Sequence, residues 1–299
     1  MENIQEIIKG YSDKFNSNLL ELFNTTHGYE KKTVEAMLYS LTNGGKRLRA
    51  FLVFETAKLF GIQFEKSFRV SAALEMIHAY SLIHDDLPAM DNDVMRRGKP
   101  TCHIQFDEAT AILAGDGLLT YSFEILSDKK THENPEIRCN LIQRLANAAG
   151  AYNGMIAGQT LDLYADNCPK EQKNESLIKH IEEMKTGRLI RFACEAGTIL
   201  GQANEEQFKA LIKYARNIGM AFQIADDILD AEGDPKLVGK TLQKDKDQGK
   251  VTFVTLYGID NAKETANQLI NEAKNTVDIF KDKAKNLKLL ADYIINRKY

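Results

Sequence analysis

The sequence lacks the marks of several protein classes. No apolar run reaches the roughly 18 residues that a membrane span needs. The four cysteines (Cys102, Cys139, Cys168 and Cys194) are scattered without CxxC spacing, which argues against a zinc site and predicts reduced thiols. A net charge of −3 gives no basic field for nucleic acid, and the first residues do not form a signal peptide. We therefore expect a soluble, cytoplasmic protein with neither a membrane nor a nucleic-acid partner.

Helix breakers are also scarce, with 5 prolines among 299 residues. Apolar residues recur with helical spacing, and no run alternates as a strand would. The predicted helices cover residues 33–41, 50–60, 68–84, 107–127, 135–165, 175–200, 205–232 and 260–296. Because no linker, low-complexity tract or repeat interrupts them, we predict an all-α fold with one domain over residues 1–299.

Two clusters of aspartates lie within apolar helical segments. Asp226 and Asp230 are four residues apart, so their carboxylates share a helical face and repel each other unless a cation lies between them. Asp85 and Asp91 are six apart, and we expect Pro88 to end the helix so that a short loop returns Asp91 toward Asp85. Oxygen donors without His or Cys favour Mg²⁺. One such cluster is usually a solvated helix end, but two favour a metal site.

Basic segments accompany the aspartates. They are GGKRLR at 44–49, RRGKPT at 96–101, KTGR at 185–188, GKT at 239–241 and GK at 249–250. Glycines before a basic helix start can present both backbone N–H groups and cations to an anion, and adjacent arginines suit bidentate phosphate recognition. Each segment alone is more often a solvated surface. Beside two metal sites, they favour a phosphate-bearing substrate.

Six segments in order resemble the trans-isoprenyl diphosphate synthase family. They are GGKRLR, EMIHAYSLIHDDLPAMDND, RRGKPT, KTGRL, FQIADDILD and GKTLQKDKDQGK, and the similarity covers about residues 40–260. The resemblance implies the isoprenoid synthase fold, a large helical bundle around a central cavity, usually as a homodimer. It also implies a Mg²⁺-dependent prenyltransferase that joins an allylic diphosphate to isopentenyl diphosphate.

The resemblance further implies a role for each matching residue. Metal binding, by three Mg²⁺ ions or by Mn²⁺ in their place, falls to Asp85, Asp91 and Asp226, with Asp86, Asp227 and Asp230 in support. Isopentenyl diphosphate binding falls to Lys46, Arg49, His78 and Arg97. Allylic diphosphate binding falls to Arg96, Lys185, Thr186, Gln223, Lys240 and Lys250. The catalytic residues near the developing cation are Lys185, Thr186 and Gln223.

The first acidic motif has the form DDxxxxD with an aromatic residue, Tyr80, five positions upstream. This form resembles the bacterial members that make farnesyl diphosphate from dimethylallyl and geranyl diphosphates. Tyr80 lies about 7 Å along the helix from Asp85, where its ring, beside the small Ser81, would stop a growing tail. Geranyl or geranylgeranyl diphosphate remains an alternative product. A terpene cyclase would not need the second diphosphate site, and a regulatory subunit would tend to lose the acidic motifs.

Overall fold

The computed structural model describes residues 3–23, 28–169, 172, 174–232 and 252–297. In these ranges the helices are α1 (Ile4–Leu19), α2 (Lys31–Thr42), α3 (Leu48–Lys58), α4 (Phe64–Asp85), α5 (Cys102–Gln105), α6 (Glu108–Ser127), α7 (Pro135–Ala149) and α8 (Met155–Asn167). They continue as α9 (Glu175–Glu182), α10 (Arg188–Leu200), α11 (Glu205–Glu232), α12 (Phe253–Tyr257), α13 (Ile259–Thr276) and α14 (Lys285–Asn296). The all-α prediction is confirmed. None of the helices described is long and apolar enough to cross a membrane.

The chain divides into two compact units, the first formed by residues 1–54 and 63–142. Its centre is α4, which is buried along most of its length and packs against α6. This close approach requires Gly115, because a Cβ there would lie 2.1 Å from Nε2 of His84. Helix α1 was not predicted from the sequence, yet its Tyr11 and Phe15 join the aromatic core of this unit. The first acidic motif therefore extends from a helix that is buried along most of its length.

The second unit is formed by residues 55–62 and 143–299. Its longest helix is α11, which packs against α10 and α13. The fully buried Tyr214 of α11 donates a hydrogen bond to the carbonyl of Leu287 at 2.7 Å, which ties α11 to α14. The second acidic motif lies in the last turns of this anchored helix.

Several predicted helices are broken in ways the periodicity does not reveal. The helix predicted over 135–165 stops at Ala149 and resumes at Met155. The helix predicted over 260–296 is interrupted by a 3₁₀ segment, Val277–Ala284, in which Lys281 has a φ of 52°. The only strands among the described residues are the two-residue β1 (Met95–Arg96) and β2 (Lys99–Pro100), which form a hairpin too short to give an alternating pattern in the sequence.

Candidate active site

The first acidic motif begins where α4 ends. After Asp85 the chain turns, and the N–H of Asp91 donates to the carbonyl of Asp85 at 2.9 Å. This bond confirms the expectation that a short loop containing Pro88 returns Asp91 toward Asp85. The Asp85 side chain is half-buried and that of Asp91 is exposed. The motif thus brings two acidic residues together at the open end of a rigid helix.

The middle aspartate has a different environment. Asp86 is buried, and its carboxylate accepts bonds from Arg96 Nε at 2.8 and 2.9 Å and from Nη2 at 2.6 Å. Burial raises the pKa of Asp86, while the Arg96 guanidinium opposes that shift. Arg96 ends strand β1, and Arg97 and Gly98 both have positive φ, as a two-residue hairpin turn of type I′ requires. The hairpin therefore directs Arg96 back to the acidic motif.

Cations converge beside the same motif. Nη1 of Arg49 lies 3.4 Å from Nε2 of His78. The pKa of His78 is lowered well below its usual value, first by burial and then by Arg49, Arg97, Arg96 and Arg47. The imidazole is therefore neutral in this field and can exchange hydrogen bonds with a phosphate without adding charge.

Two of these arginines, Arg97 and Arg47, already have hydrogen-bond partners within the first unit. Nη1 of Arg97 donates to the carbonyl of Gly44 at 2.9 Å, and a Cβ at Gly45 would lie 2.6 Å from that nitrogen. Glycine is thus needed at residue 45 for the arginine to approach. Arg47 is buried and pairs with Glu75 at 3.2 Å, so it supports the loop and is not available to a ligand. Lys46, also predicted to bind substrate, is half-buried.

The two residues expected to limit the length of the prenyl product, Tyr80 and Ser81, lie on α4 before the first acidic motif. Tyr80 is 5% exposed, and its hydroxyl has no hydrogen-bond partner among the described residues. Burial, assisted by the nearby Asp85, raises the pKa of Tyr80 to about 12. Ser81 donates to the carbonyl of its own helix at His78, 2.9 Å away. The aromatic side chain is therefore part of the packed interior, one to two turns from the first carboxylate.

In the second unit, Lys185 and Thr186 lie in a single π-helical turn, Glu183–Gly187, between α9 and α10. Nζ of Lys185 pairs with Asp162 of α8 at 2.6 Å. The two segments touch through Gly158, where a Cβ would lie 2.2 Å from the backbone nitrogen of Lys185. Turns of this kind often occur at functional sites because they redirect a side chain within a helix.

The second acidic motif occupies the C-terminal turns of α11. Asp226 accepts a bond from Nη2 of Arg297 at 2.7 Å. Asp227 accepts from the N–H of Phe253 at 2.8 Å and so anchors the start of α12. Asp230 is buried and Gln223 is half-buried. The predicted substrate ligands Lys240 and Lys250 lie outside the described residues.

The donor set fits a metal that completes its shell with substrate and water. Within the described residues, no group of three or more His, Cys, Asp or Glu side chains surrounds a common metal position. Asp85 and Asp91 supply carboxylate oxygens in the first unit, and Asp226 supplies them in the second unit. Oxygen donors alone are the chemistry of Mg²⁺ bound through a few carboxylates and substrate phosphates. The residues present therefore fit Mg²⁺ shared with a diphosphate.

A family model described as polyprenyl synthetase matches residues 30–290. The chain belongs to the polyprenyl synthetase family. It is 42% identical over 300 residues to the farnesyl diphosphate synthase of Haemophilus influenzae, with all of both chains covered. It is 45% identical to the farnesyl diphosphate synthase of Escherichia coli, over 88% of this chain and 89% of the relative.

A solved structure described as an FPP/GFPP synthase from Zymomonas mobilis is similar throughout. The TM-score is 0.89 at 40% identity, covering 98% of each chain. The chain therefore shares the isoprenoid synthase fold expected from the sequence.

Some residues of the polyprenyl synthetase site were not identified from the sequence. Arg297 lies 71 residues from its partner Asp226, and no local pattern indicates that contact. The π-helical turn does not disturb the apolar periodicity either. In the sequence, the KTG segment at 185–187 was the available signal for this irregular helical turn.

Proposed function

We propose that the chain is a Mg²⁺-dependent prenyltransferase that condenses isopentenyl diphosphate with dimethylallyl and then geranyl diphosphate, giving farnesyl diphosphate. The observation that carries this proposal is the neutral His78 among several arginines beside an acidic motif. Such an arrangement suits two diphosphates, one held by cations and one through metals. The relatives described as farnesyl diphosphate synthases support the same reaction.

The metal contribution is electrostatic. Mg²⁺ held by Asp85, Asp91 and Asp226 would neutralise the leaving diphosphate, with Mn²⁺ able to substitute. Asp86, Asp227 and Asp230 would support these ligands. The hydrogen bonds from Arg96 to Asp86 and from Phe253 to Asp227 are consistent with supporting roles.

The protein's own cations complete the assignment. Lys46, Arg49, His78 and Arg97 would bind isopentenyl diphosphate. Arg96, Lys185, Thr186, Gln223, Lys240 and Lys250 would bind the allylic diphosphate. To bind this diphosphate, Arg96 gives up its contact with Asp86, and Lys185 gives up its contact with Asp162. Thr186 and Gln223 orient polar atoms toward the cation that develops as the allylic carbon–oxygen bond breaks. The isopentenyl double bond then attacks that carbon, and a proton passes to the released diphosphate.

Product length is assigned to Tyr80 with the small Ser81 beside it. The Tyr80 ring is packed and its hydroxyl is unpaired in the described structure, so it presents a bulky, rigid obstacle. Geranyl or geranylgeranyl diphosphate is the alternative product if the tail meets another obstacle first. The FPP/GFPP description of the Zymomonas mobilis relative makes product length a property to measure directly.

The chain is further proposed to act as a cytoplasmic homodimer. The described cysteines are all free thiols, as in a reducing compartment. On α6, Ile112 and Leu113 are exposed apolar side chains that a second copy would cover. Light scattering after size-exclusion chromatography measures the assembly, and a monomeric mass at micromolar concentration would contradict the homodimer.

The central experiment incubates purified protein with dimethylallyl and isopentenyl diphosphates and Mg²⁺, then identifies the products by mass spectrometry. Farnesyl diphosphate should accumulate, and EDTA should abolish turnover. Arg49→Gln should raise the KM for isopentenyl diphosphate by about tenfold or more, because a charge-assisted contact is lost. Lys66→Gln, an exposed site on the same unit, is the control for charge. Absence of any prenyl product would refute the proposed function.

A further inference from the structure

One polar cavity is lined by residues other than the proposed substrate ligands. In the second unit, a cavity of about 440 Å³ opens between the α9–α10 segment and the N-terminal half of α11. None of Lys185, Thr186, Gln223 or Asp226 lines it. Its basic side chains are Lys179, His180, Arg188, Arg191 and Arg216. Its acidic side chains are Glu182 and Glu183, and Ile212 and Met220 add apolar surface.

The cavity carries an excess of positive charge. Four of its basic groups, the lysine and the three arginines, are cationic at neutral pH. Burial, together with the nearby Asp227, raises the pKa of Glu182 to about 8, so its carboxyl is largely protonated at neutral pH. Glu183 then remains as the single full negative charge of the lining. This local excess contrasts with the net charge of −3 for the chain and suits an anionic ligand.

Arg188 is a largely buried cation of the lining with one unsatisfied donor. Its side chain is 18% exposed, and its Nε is buried without a hydrogen-bond partner in the described part of the chain. Its nearest acid, Glu183, lies 3.5 Å from Nη2, beyond the 2.7–2.9 Å or so of a strong charge-assisted bond. A buried donor on a cation is costly to leave unpaired. Its planar fork matches two oxygens of a phosphate.

Arg216 supplies a second available cation from the opposite helix. It is exposed on α11 and makes no ion pair within the described residues, whereas Arg191 is engaged with Glu195 at 2.8 Å and Lys179 with Glu175. The lining therefore contains two arginines with unused donors, Arg188 and Arg216, and two cations that are already paired, Lys179 and Arg191.

We propose that this cavity binds a phosphate-bearing small molecule, with Arg188 and Arg216 as the principal anion ligands. Ile212 and Met220 would contact the apolar part of such a ligand. The cavity adjoins the π-helical turn that carries Lys185, so occupancy would stiffen that turn. Inorganic phosphate and a phosphate ester would both bind to the two arginines. Only the ester has an apolar part that would also contact Ile212 and Met220.

The test titrates the full-length protein with inorganic phosphate and, separately, with phenyl phosphate, both in EDTA so that metal-dependent binding is absent. Calorimetry gives affinity, and hydrogen–deuterium exchange of peptides covering 176–191 and 212–220 gives location. Both probes should slow exchange in these peptides. Arg188→Gln and Arg216→Gln should each weaken binding by about tenfold or more. Tighter binding of phenyl phosphate than of inorganic phosphate would identify an ester as the natural class.

Lys209→Gln is the matched control, because this exposed lysine lies on α11, as Arg216 does, and its substitution removes the same charge. It should bind both probes as the wild type does. Phosphate bound near Arg97 would slow exchange only in peptides of the first unit and would be lost in Arg97→Gln alone. Protection confined to that region, or equal weakening in Lys209→Gln, would overturn the proposal. Arg216 is exposed, so its variant remains informative if Arg188→Gln does not fold.

Discussion

The ion pair between Arg297 and Asp226 offers a direct test of the proposed metal site. Nη2 of Arg297 contacts the Asp226 carboxylate at 2.7 Å and the carbonyl of Phe222 at 3.2 Å. Its guanidinium carbon lies 3.7 Å above the Phe222 ring. A residue at the C-terminal end of the chain thus provides the positive charge at a carboxylate assigned to Mg²⁺. Metal binding there requires this arginine to withdraw, so Arg297→Gln should increase metal affinity.

The size of the effect follows from the exposure of the pair. A hydrogen bond between charged groups contributes about 1.5–3 kcal/mol. The Arg297 side chain is 5% exposed but that of Asp226 is 42% exposed, so water weakens the contact and the lower figure applies. An ion pair that contributes about 1.5 kcal/mol leaves the Asp226 carboxylate free in only about a tenth of the molecules. The apparent Kd for metal is therefore raised by about tenfold.

Free Mn²⁺ measured by electron paramagnetic resonance reports this affinity without turnover. Arg297→Gln should bind one Mn²⁺ about tenfold more tightly than the wild type. Lys288→Gln removes a cation that pairs with Asp278 on the same terminal segment and should leave Mn²⁺ affinity unchanged. Equal affinity of Arg297→Gln and wild type, while Asp226→Asn loses a site, would refute the competition. Unchanged binding in Asp226→Asn would instead refute the metal assignment.

Three further predictions concern other buried groups. Tyr80→Ala should lengthen the product, and an unchanged chain length by mass spectrometry would contradict the proposed obstacle. Glu182 has a folded pKa of about 8 against 4.5 ordinarily, so the folded state keeps a proton that the unfolded chain loses. The free energy of unfolding should therefore fall by up to about 4 kcal/mol between pH 4.5 and 8. Urea titrations at several pH values should show a weaker pH dependence in Glu182→Gln, and a pH dependence as steep as that of the wild type would refute the assignment to Glu182. Gly158→Ala should displace Lys185, which lowers kcat, and should lower the free energy of unfolding by about 1–3 kcal/mol. Gly10→Ala, with open space around it, should change neither quantity, and equal effects in the two variants would argue against the close contact at Gly158.

Much of the fold was accessible from sequence because helical periodicity and acidic clusters are local signals. The helix predicted over 205–232 matches α11 at both ends, and the return of Asp91 to Asp85 followed from a single proline. The breaks at Gly150–Gly154 and at Lys281 were missed, since each depends on local backbone geometry that leaves the apolar pattern intact on both sides. The hairpin at 95–100 is too short for any periodicity, although Arg97-Gly98 is its turn.

Site contacts across long sequence separations could not be predicted in the same way. The sequence shows which residues are acidic or basic. It does not show which of them form ion pairs with each other when no ligand is bound. Arg96 with Asp86, and Lys185 with Asp162, join separate elements whose approach depends on packing. Only the folded chain identifies these pairs.

These pairs have a consequence for substrate binding. Two of the basic groups assigned to the allylic diphosphate are already bonded to carboxylates, Arg96 to Asp86 and Lys185 to Asp162. A diphosphate arriving without metal would have to displace a carboxylate and would leave it buried and uncompensated, which is strongly unfavourable. Diphosphate with divalent metal supplies both signs of charge, so each displaced group can regain a partner. The ligand-free charge pairing therefore favours the metal–diphosphate complex over either component alone.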